Sequence, residues 1–366
     1  MRKVRIGVIG LGQAGVRYAQ TLKSGGITGA MLAAVCTRTE SKLTPFRRHC
    51  SVFTDFGELI ESGSVDAVII ATPHQAHVPI GIAALDENLH VLVDKPLCAD
   101  VGSASKLVAA HRRREVVFAA FFQLRTDPLY IKIRDIVRSG ELGTVNRFSW
   151  TFTEWYRPQA YYESADWRGT WDGEGGGVLI NQAPHFLDLI QWIFGIPQRI
   201  RAHCRFHHYH RIEVEDDVTA YLDYGNKGPS GVFIASTGEA PGTNRLEIAA
   251  DRGKLVAENK RIQTWQLDES LRKHTRKARE PDAQPRARRE QVKANGTAGG
   301  HAAIIQNFVD AIRKREPLIA PAAEGLLSLE MANAMIYSSC KETPVELPLD
   351  SRSYARLLTQ LRKETP

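Results

Sequence analysis

Three groups of residues in the sequence have the side-chain chemistry of an enzyme active site. The first is Asp94-Lys95-Pro96, which directly follows the apolar run His90–Val93. A lysine in this position can hydrogen-bond a substrate hydroxyl or stabilise an alkoxide, and burial lowers the pKa of a lysine toward a useful range. The spacing alone favours the simpler alternatives, in which Lys95 contacts a cofactor phosphate or points into solvent.

The second group is Asn181, His185 and Asp188, which follow the glycine-rich segment Gly173–Gly177. On a helix, offsets of four and three residues place these side chains along one side. A lone histidine on an apolar helix is more often a packed core residue. Between an amide and a carboxylate, however, His185 is a candidate general acid or base. A His-x-x-Asp pair also occurs in metal sites, but no further ligand stands at a recognisable spacing, so no metal is predicted.

The third group is aromatic. Four of the six tryptophans lie between residues 150 and 171, among tyrosines, arginines and small polar residues typical of a loop. Core packing explains part of this enrichment, but such loops also line ligand pockets, and flat apolar faces suit a sugar ring. The candidate substrate-binding residues are Trp155, Tyr162, Trp167 and Arg168, together with Asn181 and His185.

A glycine-rich turn near the start of the chain is the element most able to organise a site. Gly10, Gly12 and Gly15 follow a short apolar run in the spacing G-x-G-x-x-G. Gly10 permits a tight turn, Gly12 allows the backbone to approach a pyrophosphate, and Gly15 allows close packing of helix on strand. A helix is predicted from about Ala14 to Lys23, and its N-terminus, with Gln13 and Ala14 beside the turn, is directed at the anion. The motif alone is weak, but this context favours dinucleotide binding over a packing role.

Short apolar strands alternate with helices from the N-terminus to Phe121. This alternation predicts a doubly wound parallel sheet with right-handed crossovers. Ligands of such sheets bind beyond the carboxyl ends of the strands. The glycine turn and several polar residues fall at these ends, and their shared edge is stronger evidence for a cofactor site than any one residue. The residues at these strand ends that we predict to bind the cofactor are Thr72, Pro73, Asp94, Lys95 and Gln123.

The end of the second predicted strand, Met31–Cys36, bears on the choice of cofactor. NAD-preferring sites place Asp or Glu there to bind the ribose hydroxyls. This chain has Thr37 and Arg38 instead, and a hydroxyl beside a guanidinium suits a 2′-phosphate. The sequence therefore favours NADP, while NAD bound beside a solvent-exposed Arg38 is the alternative.

From Asp127 the pattern changes to longer segments of alternating polarity, several of them separated by Gly, Asn or Asp. This predicts a second α/β domain with a large, mostly antiparallel open sheet. One helix is predicted over Val178–Phe194, and the domains are placed at residues 1–124 and 125–366. The predicted strands lie near Val145–Glu154, Arg199–His208, Val214–Tyr224, Gly231–Gly238, Arg245–Ala250 and Arg261–Leu267.

Composition argues against several other classes of protein. The five cysteines are scattered without a C-x-x-C pair, which argues against a disulfide or zinc framework and fits a reducing compartment. No stretch approaches the length of a membrane span, and a cytoplasmic protein is expected. Much of the net charge of +7 comes from Leu271–Lys293, with nine basic and three acidic residues. This segment is predicted to be a solvated loop, with an anionic partner as the subordinate alternative and no nucleic-acid partner expected.

Several separated motifs occur in the order found in the Gfo/Idh/MocA oxidoreductases, a family that this chain resembles over nearly its whole length. They are the glycine motif, Ala71-Thr72-Pro73 followed by His77, Asp94-Lys95-Pro96, Ser139–Gly143, and Gly175–Gly177 with Asn181, His185 and Asp188. The resemblance implies an N-terminal Rossmann domain and a C-terminal α/β domain used for assembly as a homodimer or homotetramer. It also adds His77 to the cofactor-binding residues.

The resemblance further implies an NAD(P)-dependent dehydrogenase or reductase that acts on a ring hydroxyl of a sugar, glycoside or cyclitol. In that reaction His185 is the general base, Lys95 bonds the same oxygen, and Asn181 orients a neighbouring hydroxyl. The chain departs from the family at Asp94, where Glu is usual, and at Asn181, where many sugar and inositol dehydrogenases have Asp. Two alternatives stay open: a glycosidase or lyase that uses tightly held NAD for transient ring oxidation, and a nucleotide-sensing regulator without catalysis.

Overall fold

The computed structural model describes residues 2–112 and 114–364, which divide into two compact units. The first unit extends to Thr126 and includes Gly299–Leu329, and the second contains Asp127–Ala298 and the residues from Glu330 onward. The predicted boundary between residues 124 and 125 lies two residues from the first crossing. The predicted second domain, residues 125–366, differs from the second unit because residues 299–329 belong to the first unit. Residues 1 and 366, at which the two predicted domains begin and end, lie outside the described residues.

Six described strands form the parallel sheet of the first unit. They are β1 (Val4–Ile9), β2 (Ala30–Cys36), β3 (Ser51–Phe53), β4 (Ala67–Ile70), β5 (His90–Val93) and β6 (Phe118–Ala120). Their order is β3-β2-β1-β4-β5-β6, so the chain runs outward from β1 first to one side and then to the other. This is the doubly wound sheet that the alternation of strands and helices predicts, and it is confirmed. The sequence pattern does not reveal β3, a three-residue edge strand.

The helices of both units are numbered together along the described chain. In chain order they are α1 (Gln13–Lys23), α2 (Phe56–Glu61), α3 (His74–Asp86), α4 (Val101–His111), α5 (Pro128–Ser139), α6 (Gln159–Tyr162), α7 (Val178–Asn181), α8 (Pro184–Phe194), α9 (Leu271–Lys277), α10 (Gly300–Lys314), α11 (Ala322–Lys341) and α12 (Ser351–Glu364). Asp55, Asp100 and Asp127 begin α2, α4 and α5, because their carboxylates accept hydrogen bonds from first-turn N–H groups.

Long-range polar contacts bring residues 299–329 back to the first unit. The side chain of Gln306 in α10 accepts from the N–H of Thr28 at 2.7 Å and donates to its carbonyl at 3.1 Å. The buried Arg125 forms an ion pair of 2.5 Å with Glu324 in α11. Because these partners are nearly 200 or more residues apart in the chain, local sequence patterns do not predict them.

In the part of the chain that the structure describes, the second unit contains a nine-stranded sheet. Its strands are β7 (Val145–Phe152), β8 (Arg199–Phe206), β9 (Glu215–Asp223), β10 (Ser230–Ser236), β11 (Asn244–Ala250), β12 (Gly253–Glu258), β13 (Arg261–Leu267), β14 (Ala287–Val292) and β15 (Val345–Glu346). The order is β14-β13-β12-β11-β7-β10-β9-β8-β15. Neighbours are antiparallel except β7 and β10, which are parallel, so the predicted mostly antiparallel sheet is confirmed.

One face of this sheet packs on α8. Phe148 and Phe152 of β7 are fully buried, and each stacks on a phenylalanine of α8. The ring of Phe152 lies 3.7 Å from that of Phe186, and the ring of Phe148 lies 4.0 Å from that of Phe194. Aromatic pairs of this kind bury large apolar areas. They fix α8, which carries His185, against the centre of the sheet.

The prediction of a solvated loop over Leu271–Lys293 is wrong in structure, although most of the segment is exposed. It contains α9 and β14, and β14 pairs with β13 along its whole length. Charged side chains conceal the strand because β14 is an exposed edge of the sheet, where charge blocks pairing with other chains.

The single predicted helix over Val178–Phe194 is also wrong, because the chain breaks into α7 and α8. Pro184 is the first residue of α8. Proline has no N–H with which to continue the hydrogen bonding of α7, and its fixed φ suits a helix start. Asn181 is therefore the last residue of α7, whereas His185 and Asp188 belong to α8.

A buried carboxylate holds the start of α7. Glu215 in β9 is fully buried, and its Oε1 accepts hydrogen bonds from the N–H groups of Gly177 at 2.9 Å and Leu179 at 3.0 Å. Its Oε2 has no hydrogen-bond partner among the described residues. Burial raises the pKa of Glu215 to about 7, against the opposing effect of the backbone hydrogen bonds.

We expect Glu215→Gln to remove a pH dependence of stability. The folded-state pKa of about 7 exceeds the ordinary value of 4.5, so the wild type is most stable when Glu215 is protonated and loses stability as the pH rises through 7. Glutamine keeps the Oε1 acceptor and carries no charge. From about pH 5 to pH 8, the free energy of unfolding of the variant should therefore rise relative to wild type, on the order of 1–3 kcal/mol.

Denaturant unfolding at both pH values measures this difference. Glu163→Gln is the matched control, because Glu163 has a solvent-exposed side chain, and its difference from wild type should change little with pH. A Glu215→Gln difference that is the same at both pH values would contradict the assignment.

Candidate active site

In the glycine turn of the first unit, the fold requires glycine at two positions, Gly10 and Gly15, whereas Gly12 faces open space. Gly10 has a φ of +96°, and a Cβ there would lie 2.5 Å from the carbonyl oxygen of Ala71. A Cβ at Gly15 would collide with the carbonyl oxygen of Gly10. A Cβ at Gly12 would meet no described atom within 4 Å. Because Gly12 stands at the N-terminus of α1, this opening fits the approach of a pyrophosphate.

Asp94 ties the loop after β5 to α1. Its Oδ1 accepts a hydrogen bond from the N–H of Lys95 at 2.8 Å, and its Oδ2 accepts one from the hydroxyl of Tyr18 at 3.1 Å. Tyr18 stacks on Phe121 with ring centroids 4.3 Å apart. Burial, and then the Asp94 charge, raise the pKa of Tyr18 well above its ordinary value. Asp94 therefore positions the backbone of Lys95, and its predicted contact with a cofactor stays a prediction.

The side chain of His77 contacts the loop after β4 and the loop after β5. It is fully buried, with Nδ1 2.9 Å from the carbonyl oxygen of Pro96 and Nε2 2.8 Å from that of Thr72. Burial lowers the pKa of His77, and the charge of Asp94 opposes that effect. A direct cofactor contact, as the sequence suggested for His77, does not fit a ring with no exposed surface. We assign His77 a positioning role for Thr72 and for the loop that carries Lys95.

The other predicted cofactor residues also lie at the carboxyl edge of the sheet. Gln13 and Ala14 begin α1, and Thr72 and Pro73 follow β4. Gln123 begins a 3₁₀ turn after β6. Thr37 is half-buried after β2, where its N–H donates to the carbonyl of Phe53 at 3.1 Å, and Arg38 is exposed. The structure brings these residues to one edge, and their contacts with a cofactor stay predictions.

His185 is the first-turn histidine of α8 in the second unit. It is 3% exposed, and the ring of Trp155 meets it edge-on with centroids 6.2 Å apart. Asp188, one turn later, is buried and accepts a hydrogen bond from Gln191 at 3.0 Å. The structure therefore brings His185 together with Trp155, while Asp188 lies within the packed side of α8.

Asn181 is oriented by a glutamate that the sequence analysis missed. The Nδ2 of Asn181 donates to the hydroxyl oxygen of Tyr161 at 3.2 Å and also contacts Oε1 of Glu174. Glu174 is 1% exposed, and its Oε2 accepts from the N–H of Gly169 at 2.7 Å. Both amide hydrogens of Asn181 are directed at these two partners. The sequence signal that could have identified Glu174 is its place as the single charged residue in the glycine-rich segment Gly173–Gly177.

Tyr161, which the sequence analysis did not select, lies beside Asn181. Arg168 donates a hydrogen bond of 2.6 Å to its hydroxyl oxygen. The guanidinium of Arg168 lies 4.4 Å from the centroids of both Tyr161 and Trp167. That of Arg157 lies 4.7 Å from the centroid of Tyr161. Burial raises the pKa of Tyr161, and the charge of Arg168 opposes the increase.

Tyr162, which the sequence favoured, points into the interior. It is 5% exposed, its hydroxyl lies 3.1 Å from that of Thr237, and burial raises its pKa. Adjacent residues of a helix project about 100° apart, so the neighbouring Tyr161 takes the position beside Asn181. A direct substrate contact by Tyr162 is therefore replaced by one for Tyr161, while Trp155, Trp167 and Arg168 remain predicted substrate contacts.

The described residues limit other chemistries. Among them, no three His, Cys, Asp or Glu side chains are grouped so that they could hold a metal ion. Burial raises the pKa of the Cys36, Cys50 and Cys340 thiols to about 11, which disfavours the reactive thiolate. No helix in the described ranges has the length and apolar character needed to cross a membrane.

Two family models match the chain. The model described as an oxidoreductase family with an NAD-binding Rossmann fold matches residues 4–122. The model of the GFO/IDH/MocA C-terminal domain matches residues 130–256. Together they cover more than half of the chain, and each lies in the part that the sequence analysis assigned to the corresponding domain.

Curated relatives align with part of the chain. The uncharacterized oxidoreductase YdgJ of Escherichia coli is 30% identical over 197 residues, which cover 53% of this chain and 54% of the relative. Myo-inositol 2-dehydrogenase of Thermotoga maritima is 27% identical over 195 residues, which cover 52% of this chain and 55% of the relative. The chain thus spans about half the length of these relatives.

Solved structures match over nearly the full chain. The WlbA dehydrogenase of Bordetella pertussis, in complex with NADH and UDP-GlcNAcA, is 24% identical with a TM-score of 0.80, and the match covers 95% of this chain and 100% of that one. Levoglucosan dehydrogenase in complex with NADH is 19% identical with a TM-score of 0.77, and the match again covers 95% and 100%. At these identities, the likeness shows a shared fold.

We expect Gly12→Ala to lower dinucleotide affinity with little change in stability, and Gly15→Ala to lower the stability of the fold. Gly12→Ala adds a methyl group to open space at an ordinary φ, so the free energy of unfolding should change by less than about 1 kcal/mol. Dinucleotide affinity should fall about tenfold or more, because the methyl group occupies the space needed for close approach. Gly15→Ala should lose about 1–3 kcal/mol of stability through the collision with Gly10.

Thermal unfolding and fluorescence titration with NADH and NADPH measure the two effects. Wild-type dinucleotide affinity in Gly12→Ala would show that the ligand does not approach at this residue.

Proposed function

The chain belongs to the GFO/IDH/MocA oxidoreductase family, and from that membership we propose that it transfers a hydride between a nicotinamide cofactor and a ring hydroxyl or ketone of a sugar, glycoside or cyclitol. The observation that carries this proposal is the placement of Asn181, which bonds Tyr161 and contacts Glu174, four residues before His185, which packs edge-on against Trp155. These residues bring an imidazole, an amide and aromatic side chains into one unit. Relatives named as inositol dehydrogenases support the same substrate class.

The residues of the first unit fit the cofactor. Gly10, Gly12 and the N-terminus of α1 would hold the pyrophosphate, and Thr37 and Arg38 would lie at the adenosine ribose. The bound nicotinamide supplies the hydride acceptor or donor.

His185 and Lys95 have different roles in the proposed reaction. His185 in the second unit accepts the proton of the reacting hydroxyl, since a neutral imidazole is a base near neutral pH. Lys95 in the first unit donates a hydrogen bond to the same oxygen and stabilises its developing negative charge. Asn181, whose amide hydrogens face Tyr161 and Glu174, accepts a hydrogen bond from a neighbouring hydroxyl. Trp155 restricts the rotation of His185 by packing edge-on against its ring.

The proposal also includes assembly into a homodimer or homotetramer through the open face of the nine-stranded sheet. Tyr221 on β9 is 48% exposed, and Val232 and Ile234 on β10 are half-buried in the described chain. Partly exposed apolar residues of this kind favour contact with another protein surface.

We expect His185→Ala and Lys95→Ala each to lower turnover by about 10²–10⁴-fold, because each removes a group that handles the reacting proton or oxygen. Cofactor affinity should stay close to wild type. Initial rates of NAD(P)H formation with a panel of sugars and cyclitols, including myo-inositol, measure turnover, and titration with NADH and NADPH measures affinity. His49→Ala, which changes an exposed histidine of the first unit, is the matched control.

Near-normal turnover in either variant would overturn the role of that residue. Loss of cofactor affinity in Lys95→Ala would instead assign Lys95 to a cofactor phosphate. Cleavage of a glycoside without net reduction of the cofactor would point to the glycosidase or lyase alternative.

We propose NADP as the preferred cofactor and expect Arg38→Ala to weaken NADPH binding about tenfold or more, with NADH binding little changed. The reason is that a guanidinium can pair with the 2′-phosphate, which NADH lacks. Lys23→Ala removes a cation at the opposite end of α1 and serves as the control. Equal affinity of wild type for the two cofactors, or equal loss of both in Arg38→Ala, would contradict NADP preference.

A further inference from the structure

Arg157 and Arg168 are cations to which the described part of the chain offers no carboxylate within 4.0 Å. Their guanidinium groups lie over aromatic rings instead, and both lie over Tyr161. The Nε atoms of both arginines are buried, and neither has a hydrogen-bond partner among the described residues. Aromatic faces offset a cation only in part. These two positive charges are therefore incompletely compensated by the protein.

The two arginines share Tyr161 as a neighbour with Asn181. The hydroxyl oxygen of Tyr161 accepts hydrogen bonds from Arg168 at 2.6 Å and from Asn181 at 3.2 Å. The carboxylate of Glu174 contacts the same Asn181. Two arginines and one glutamate leave this cluster with a formal charge of +1. In its described contacts Tyr161 only accepts, so its hydroxyl hydrogen can serve a further acceptor.

Buried polar contacts fix the backbone of Arg157. Its N–H donates to the carbonyl of Thr237 at 2.9 Å, and its own carbonyl oxygen lies 2.7 Å from Nε2 of His210. The Nδ1 of His210 lies 3.0 Å from the carboxylate of Asp216, which is fully buried. That carboxylate also accepts from the N–H groups of Tyr209 and His210. A supporting layer of this kind is expected for a group held in place to bind a ligand.

The second arginine is tied to the site through Glu174. The residue after Arg168 is Gly169, whose N–H donates to the carboxylate that contacts Asn181. Gly169 has a φ of +66°, and a Cβ there would lie 2.7 Å from the side chain of Ile212. The backbone at Arg168 is therefore coupled to the end of α7.

We propose that Arg157 and Arg168 bind an anionic group, a carboxylate or a phosphate, carried by the substrate. This inference rests on the proposed function, because it names the substrate class of the same site. A guanidinium presents a planar fork of N–H donors that matches both groups. Such an anion compensates the charge of the cluster, and it can accept the hydrogen bond that Tyr161 has to give. The substrate is thus an acidic or phosphorylated sugar rather than a neutral one.

Calorimetric titration of the NADH- or NADPH-saturated protein with D-glucose, D-glucuronate and D-glucose 6-phosphate tests this inference. Wild type should bind at least one anionic probe about 10- to 100-fold more tightly than glucose, the range expected for hydrogen bonds to charged groups. The two anionic arms distinguish a carboxylate from a phosphate. Arg157→Met and Arg168→Met should each reduce the preference for the anionic probe, and Arg168→Lys should retain part of it.

Arg211→Met is the matched control, because Arg211 has an 87% exposed side chain already paired with Glu163 at 3.3 Å. This variant should keep the preference for the anion. In wild type the preference should also fall as sodium chloride is added, which tests the inference without any variant that must fold.

Tight binding of glucose, failure of both anionic probes to bind wild type, or a preference that survives in the Arg157→Met/Arg168→Met double variant overturns the inference. The proposed function fails separately, when no sugar or cyclitol supports turnover with either cofactor. Because the preference is measured by binding, the two failures are distinguishable.

Discussion

Two buried carboxylates fix the short helix α7, and the arrangement of the second unit's site depends on them. Glu215 holds the N–H groups at the start of α7, and Glu174 contacts Asn181 at its end. A Cβ at Gly177 would collide with the carbonyl oxygen of Glu215, so only glycine allows this approach. Each carboxylate is taken out of water, which is unfavourable unless hydrogen bonds replace the lost solvent. Here the donors are mostly backbone N–H groups, whose places are set by the fold itself.

The first unit follows the same principle with different residues. His77 and Asp94 are engaged with backbone groups and with Tyr18, so they hold the loops after β4 and β5 in place. Thr72 and Lys95 on those loops keep part of their surface exposed. In both units, buried polar side chains give the site its shape, and half-exposed residues beside them are left to meet ligands. This division explains why a motif residue such as His77 can matter to a site without touching a ligand.

Sequence patterns predicted those parts of the fold that local physics determines. The strand His90–Val93 and the glycine turn follow from apolar runs and from the conformational freedom of glycine, both of which are visible in adjacent residues. The return of residues 299–329 depends on partners such as Thr28 and Gln306 that are far apart in the chain. The strand β14 is concealed because its exposed edge position selects charged residues. The sequence also did not predict which way the side chains of α6 point. The choice between Tyr161 and Tyr162 depends on how α6 is rotated about its axis.

The break at Pro184 places two residues with different assigned roles on different helices. Asn181, which we assign to substrate recognition, ends α7, whereas His185, which we assign to proton transfer, begins α8. In one continuous helix, a substitution that rotated the first residue would rotate the second as well. With the break between them, mutations in the glycine-rich segment can alter selectivity while the aromatic stacks of α8 preserve the base. The interruption thus allows the end of α7 to change its geometry while α8 keeps its packing on the sheet.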